Sequence, residues 1–444
     1  MKFNFNNQLN PMPKVAVTLP GKNREEIRKK ALKLLDHHVD VIEWRADTLL
    51  DDEEGQRDRF DISYMKDILS DFDGISVPLI FSLRSSNEGG FFDMTSDYDD
   101  ILEEIIETGL IDYIDIEFET SKRFAELVEK AHSKGIDVIG SYHNYRETPG
   151  EKALLSKMSE IEDAGADIVL VACMPREFDD VRCMTKLPES FHEKYPDRHV
   201  ISISLGLMGQ STRLYCEKNK QCMTYACIDE AISPGQISYI EMRDYIDQIH
   251  EMLSADPITH NIYMCGFMGT GKTTTSKVLS DKIHLPVFEM DDILVSKFRI
   301  PISDYFDSYG EDSFRREESA LLKLISENGP AIVSTGGGVC LKKENIEVMK
   351  ETGSVVVLCA TPETIRERTK DDFTRPLLKP SENNSDDMEL FLPSNSLMFE
   401  KEMISRIDVM MKKREAAYKA AGDLFVQTDD KIQEYVADEI IGIR

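Results

Sequence analysis

The sequence predicts an α/β chain of two domains, a closed eight-stranded parallel barrel followed by a smaller α/β unit with a parallel sheet. Three observations predict it. Short apolar runs alternate with amphipathic stretches eight times over about the first 250 residues. The alternation then restarts at Asn261, beyond a helix end and a short Pro-containing linker. The restarted half opens as strand, Gly-rich turn, helix.

The runs of the first half are residues 15–19, 39–45, 79–84, 113–118, 136–143, 167–173, 199–205 and, more weakly, 223–228. Helical patterns lie between them, for example residues 24–38, 121–135 and 151–165, and the last two end in Lys-Gly and Ala-Gly as helix C-termini often do. An open doubly wound sheet fits the same alternation. The domains are placed at 1–255 and 256–444, and in the second the clearest buried parallel strands are residues 331–338 and 354–360. The polar, turn-rich stretch 379–390 reads as a mobile loop.

Composition excludes several functions. The 444 residues are 41% hydrophobic and 30% charged, with a net charge of −29. Nucleic acid and anionic membrane repel such a surface, so anionic substrates must meet locally concentrated Lys and Arg. No stretch approaches a membrane span or a secretory leader. The eight cysteines are scattered singly without zinc-ligand spacing, which points to reduced thiols in a cytoplasmic protein.

Residues 266–273 read Gly-Phe-Met-Gly-Thr-Gly-Lys-Thr, a complete GxxxxGK[ST] between an apolar strand and a helical pattern. Backbone N–H groups at Gly266, Met268, Gly269, Thr270, Gly271 and Thr274 would cradle phosphates, Lys272 would reach the terminal oxygens, and the Thr273 hydroxyl would sit on Mg²⁺. This is a nucleotide site. The acceptor is indicated by further motifs in order: residues 288–292, Phe-Glu-Met-Asp-Asp; Phe314-Arg315 with Glu318; Gly336-Gly337-Gly338; Arg-Pro-Leu-Leu from Arg375; and Arg414 four residues before Tyr418.

With these motifs, residues 261–444 resemble shikimate kinase. The resemblance implies ATP and Mg²⁺, shikimate bound by Asp291, Arg315, Gly336, Gly337, Gly338 and Arg414, and Asp291 as base for the acceptor hydroxyl. It implies Arg375 closing over the phosphates, Arg368 near the adenine, and magnesium held at Thr273 and Glu289, where the family has a shorter carboxylate. Arg406 is the alternative to Arg414, and another small-molecule P-loop kinase, such as a gluconate kinase, is the rival reading.

In the first half, polar residues cluster at strand ends, the face on which a barrel builds its site: Glu43 and Arg45, Arg84 and Glu88, His143, Arg213, and the turn Ser233-Pro234-Gly235-Gln236. These stretches, across residues 12–252, look like type I 3-dehydroquinate dehydratase. The resemblance implies substrate gripped by Glu43, Arg45, Arg84, Arg213, Ser233 and Gln236, proton transfer by His143 with Glu88, and dimerisation through the barrel. It also implies a Schiff-base lysine on the sixth strand, where this chain has Leu170. Leu205 and Ile232 also depart from the family's usual methionine and serine. The expectation is a shikimate-pathway fusion whose barrel is impaired in Schiff-base catalysis and binds a dehydroquinate-like acid. A dehydratase that survives without the lysine, and a regulatory sensor, are the alternatives.

Overall fold

The structure is a computed structural model and describes residues 12–51, 61–93, 97–255, 260–369 and 397–442, with side chains from 403 in the last segment. Arg375 and the stretch 379–390 lie outside the described residues. The chain divides into two compact units, Met1–Ile246 and Asp247–Arg444. The division falls inside the helix Tyr239–Ala255, nine residues before the sequence-based boundary.

The first unit holds eight strands: β1 (Lys14–Leu19), β2 (Val41–Arg45), β3 (Leu79–Ser82), β4 (Tyr113–Glu117), β5 (Asp137–Asn144), β6 (Ile168–Cys173), β7 (His199–Ser204) and β8 (Met223–Cys227). All pairings are parallel and run β8-β1-β2-β3-β4-β5-β6-β7, so the first strand joins the last and the open-sheet alternative falls. The seam between β7 and β8 closes differently. Cys222 N–H donates to Val200 O at 3.2 Å. Ser202 N–H donates to the Gln221 side-chain oxygen at 2.8 Å, and Ser204 N–H to Thr212 Oγ1 at 2.9 Å. Side chains thus satisfy main-chain donors that no neighbouring strand reaches.

The strand faces explain why this sequence closes into a barrel with a pocket. Side chains at every second position point inward. The inward residues begin apolar on every strand, with Ala16, Val41, Ile80, Tyr113, Ile139, Ile168, Ile201 and Met223 forming one buried cluster. Further along, the inward positions of the first five strands turn polar: Thr18, Glu43, Ser82, Asp115 and Ser141. Those of β6–β8 stay apolar, with Leu170, Ala172, Ile203 and Tyr225 in the same cluster. The C-terminal end of the barrel is therefore half polar and half greasy.

Helices end where the sequence signals their stop. Gly135 and Gly165 have φ of 74° and 98°, which L side chains adopt only with strain.

The second unit carries five parallel strands, β9 (Asn261–Gly266), β10 (Val287–Glu289), β11 (Ile332–Ser334), β12 (Gly353–Cys359) and β13 (Leu424–Gln427), in the order β10-β11-β9-β12-β13. The strand leading into the Gly-rich turn is central, flanked by β11 and β12. The order reverses direction at β9, the place where open parallel sheets bind ligands.

Candidate active sites on the barrel and the P-loop unit

At the C-terminal mouth of the barrel, a pocket enclosing about 430 Å³ of empty space, its opening included, is lined by every dehydroquinate-contacting residue expected from the sequence. Thr18, Glu43 and Arg45 come from β1 and β2, and Arg84 from the turn after β3. His143 ends β5, Arg213 lies on the short helix Ser211–Leu214, and Ser233 and Gln236 lie on the turn after β8. Glu88 stands behind His143 rather than on the pocket wall. Leu170 and Ala172 of β6, Ile203 of β7 and Tyr225 of β8 form the apolar floor.

Arg84 organises the polar side. Its Nη1 donates to Glu117 Oε1 and Ser141 Oγ, each at 3.1 Å, and Nη2 pairs with Asp115. Burial opposes its charge, but Asp115, Glu117, Glu88 and Glu43 around it hold its pKa well above the ordinary arginine value. Arg45 is likewise committed, donating to Asp47 at 2.7 and 2.8 Å. Glu43 accepts from Thr18 Oγ1 at 2.9 Å, and Thr18 in turn accepts from the Gln236 amide at 3.0 Å.

Arg213 differs from both. It is 2% exposed, and no ion pair holds it among the described residues. Its contacts are neutral and long: Tyr225 O and Ser233 Oγ at 3.3 Å, and Pro234 O at 3.4 Å. Desolvation pushes its pKa down to about 10. A buried guanidinium with only long neutral contacts is electrostatically under-compensated, and an anion would complete it.

His143 Nδ1 lies 2.9 Å from both Glu88 Oε2 and Arg84 Nη1, and its main-chain N–H donates to Glu88 Oε2 at 3.0 Å. Burial, then Arg84, Arg45 and Arg213, hold the imidazole well below its usual pKa. Burial, with Glu117 adding, pushes the Glu88 carboxyl well above its own. Nδ1 is thus engaged by both Glu88 and Arg84, and the ring lines the pocket.

The sign of the linkage follows. A histidine whose folded pKa is depressed contributes stability above its unfolded value, about 6.5, and loses it as pH falls. Glu88 works in the opposite sense, its contribution fading as pH rises. We expect His143→Gln to lose less barrel stability than the parent as pH falls from 7.5 to 5.5. Trp44 is the chain's single tryptophan and is fully buried in β2, so its fluorescence in urea reports this unit alone.

In the second unit the Gly-rich turn joins β9 to the helix Lys272–Ile283. A Cβ on Gly266 (φ 137°) would lie 2.4 Å from Leu358 O, so the turn requires glycine there. Gly269 and Gly271 also hold positive φ, 77° and 93°. Met268 and Thr270 lie within the turn, with Thr270 Oγ1 donating to Phe267 O at 2.8 Å, and Thr274 is exposed in the helix's first turn. Lys272 Nζ curls onto the turn, donating to Gly266 O at 3.1 Å and Phe267 O at 3.2 Å. Arg368 braces the same turn from the helix Pro362–Thr369, reaching Gly269 O at 3.4 Å and Thr428 O at 2.7 Å.

The expected acceptor residues converge beside this turn. Arg315 Nη1 donates to Glu318 Oε2 at 2.8 Å, and a Cβ on Gly338 would fall 2.4 Å from its Cζ. A Cβ on Gly336 would lie 2.5 Å from Glu318 Oε1 and 3.1 Å from Asp291 Oδ1. The glycines thus leave room for two carboxylates and a guanidinium to face one space. Arg414 Nη1 and Tyr418 Oη both donate to Gly337 O, at 3.1 and 2.6 Å, and the Arg414 guanidinium lies 5.2 Å from the Phe267 ring centre. Thr273 Oγ1 donates to Glu289 Oε2 at 3.2 Å, while the buried Glu289 Oε1 lacks a partner among the described residues.

Three features escaped the sequence. Asp115 and Glu117 share the inward phase of β4, and that phase was the signal. Tyr225 follows Met223 by two on β8 in the same way, and Tyr145 lines the pocket two residues beyond His143.

A parallel barrel with a cation-lined mouth and a P-loop phosphotransferase unit define a two-module metabolic enzyme. Comparison with known proteins gives the families. The type I 3-dehydroquinase family model matches residues 15–252, and the shikimate kinase family model matches residues 268–443. The 3-dehydroquinate dehydratase of Clostridioides difficile is 32% identical over 246 residues, 54% of this chain and 94% of that protein. That of Bacillus licheniformis is 32% identical over 243 residues, again 54% and 94%. A crystal structure of type I 3-dehydroquinate dehydratase from Clostridium difficile, with covalently modified comenic acid, is 32% identical with a TM-score of 0.50, covering 54% of this chain and 93% of that one. The chain belongs to the type I 3-dehydroquinase family and carries a shikimate kinase domain after its barrel.

Proposed function

We propose that the chain phosphorylates shikimate with ATP in its second unit, and that its barrel binds a dehydroquinate-like ring acid without Schiff-base chemistry. The kinase reading rests on one juxtaposition: Arg315, Asp291, Gly337 and Arg414 face a common space next to the P-loop lysine. A small acid with one carboxylate and several hydroxyls needs arginines for the first and a carboxylate for the second. Arg315 and Arg414 hold the carboxylate, and Asp291 accepts the proton of the attacking hydroxyl. Lys272 leaves its two carbonyls for the γ-phosphate, and Arg368 lies against the adenine edge. Arg375 is assigned to the phosphates by the family motif alone.

The hard oxygens of Thr273 and the unpaired Glu289 Oε1 fit magnesium, which these units hold with few protein ligands and the phosphates themselves. When bound, the ion neutralises charge developing between the phosphates. No helix among the described residues is long and apolar enough to cross a membrane, and all eight cysteines are free, which agrees with a cytoplasmic site of action.

The barrel reading rests on Leu170, 2% exposed on the pocket floor where covalent chemistry would need an amine. Without an iminium the α-proton of a ketone stays weakly acidic, and His143 has no electron sink to work against. Arg213 remains as the carboxylate anchor.

Assays on the full chain test both halves. ADP release is expected with shikimate and not with gluconate or nucleoside monophosphates, and the reverse pattern sinks the kinase assignment. 3-Dehydroquinate is expected to bind by calorimetry and to leave no adduct after borohydride. Arg213→Met is expected to weaken that binding about 10–100-fold, as loss of a charged hydrogen-bonding partner does. Unchanged affinity removes Arg213 as the anchor.

A further inference from the structure

Two thiols meet between the P-loop strand and the glycine turn of the second unit. Cys265 is the last residue but one of β9 and directly precedes Gly266 of the P-loop turn. Cys340 lies on the short 3-10 turn Val339–Leu341, which follows Gly336-Gly337-Gly338. Thr335 ties the two segments together. Its N–H donates to Met264 O at 3.1 Å, and its Oγ1 lies 3.0 Å from that oxygen and 3.4 Å from Cys265 Sγ. The chain then passes through the three glycines, and the Cys340 thiol hydrogen-bonds to that of Cys265. The two side chains are 2% and 0% exposed, and Met349 Sδ lies 3.9 Å from Cys265 Sγ. No third ligand completes a metal site with them among the described residues.

The two sulfurs are chemically unequal. The hydrogen bond from Cys340, then that from Thr335 and the charge of Lys272, lower the Cys265 pKa although burial opposes them. The same bond, with burial, pushes Cys340 up. A thiolate is the attacking form, so Cys265 reacts first with an oxidant and Cys340 resolves it.

The surroundings decide which segment moves when the sulfurs join. A disulfide draws them to about 2.05 Å, well inside any hydrogen-bonded contact between thiols. β9 is the central strand, held between β11 and β12, and a Cβ on Gly266 would already lie 2.4 Å from Leu358 O. The strand has no room to give, so the turn carrying Cys340 does. Gly338 and Gly337 go with it. Gly338 packs against the Arg315 guanidinium, and Gly337 O accepts from Arg414 and Tyr418.

We infer that Cys265 and Cys340 are a redox modification site, closed to a disulfide by hydrogen peroxide, and that closure displaces the Gly336–Gly338 turn and slows the kinase unit until a small thiol reopens it. Cys265 takes one oxygen from the peroxide and becomes a sulfenic acid, with water leaving. The Cys340 sulfur then attacks the Cys265 sulfur, and the displaced hydroxide leaves as water with the Cys340 proton. The two thiols lose two electrons and two protons, and the peroxide ends as two waters. A transient bond of this kind suits a reducing compartment. The bond itself is independent of the kinase assignment, whereas its effect on turnover rests on it.

The test treats the reduced full chain with hydrogen peroxide and follows non-reducing peptide mass maps alongside ADP release with shikimate. A peptide pair joined through Cys265 and Cys340 is expected, 2 Da lighter than the sum of its reduced parts (about two hydrogens lost,). Turnover is expected to fall about 10–100-fold, the scale of a misplaced binding turn, and to recover with dithiothreitol. Cys265→Ala is expected to keep the untreated rate and to resist peroxide. Cys340→Ala is expected to give no linked pair and instead a dimedone adduct at Cys265. Absence of the linked pair in the parent, or a linked pair with undiminished turnover, overturns the inference. So does inhibition that persists in Cys265→Ala. Reduced protein that releases no ADP with shikimate is a failure of the kinase assignment instead, and the mass map still decides whether the bond forms.

Discussion

Replacing Leu170 with lysine gives the barrel a borohydride-trappable adduct with 3-dehydroquinate at residue 170 and raises dehydratase turnover by about three orders of magnitude or more, the scale on which an electron sink matters. The reason is local. Residue 170 is buried on a floor formed with Ala172, Ile203 and Tyr225, and the three arginines of the pocket line the same cavity. Desolvation and like charge both lower the pKa of a lysine placed there, so a large share of it is the free amine near neutrality. His143 already lines the same pocket, with Nδ1 engaged by Glu88 and Arg84. Burying an amine costs stability, and Trp44 fluorescence shows whether the variant is folded. A folded variant that binds the ketone and still gives no adduct would mean that the pocket does not present the carbonyl to β6.

Lys272→Met is expected to lower kcat for shikimate phosphorylation by about 10²–10³-fold, the cost of losing one preorganised donor to the transferring group. Lys272 Nζ lies on Gly266 O and Phe267 O, two neutral acceptors that cede it readily to a triphosphate. The side chain is only part-buried, so methionine fits without opening a cavity and the melting temperature should hardly move. Turnover that survives the substitution would remove residues 266–273 as the seat of phosphoryl transfer.

Most of the barrel was legible because its strands are continuous apolar runs or strict alternations bounded by turn residues. Residues 113–118 and 167–173, for example, match β4 and β6 to within one residue at each end. The kinase sheet was less legible at its margins. β10 has three residues, and β13 is an edge strand of four with only Val426 buried, too short to establish a period. Residues carried by motifs lie near one another, Arg315 against Gly338 and Arg414 on Gly337 O. What the sequence concealed was partnership across strands. Nothing linear tells that Arg84 is clamped by Asp115 and Glu117 from the next strand while Arg213 has neutral company.

The seam beside β7 has a mechanical consequence. Seven of the barrel's eight junctions part only by unzipping several main-chain bonds together, whereas the eighth depends on a glutamine amide, a threonine hydroxyl and one peptide link. The cylinder therefore has a built-in hem, and that hem ends beside Thr212, one residue from Arg213 on the pocket wall. A loosening there would reach Ile203 and Tyr225, which line the cavity from the two strands of the seam, together with Arg213 beside it.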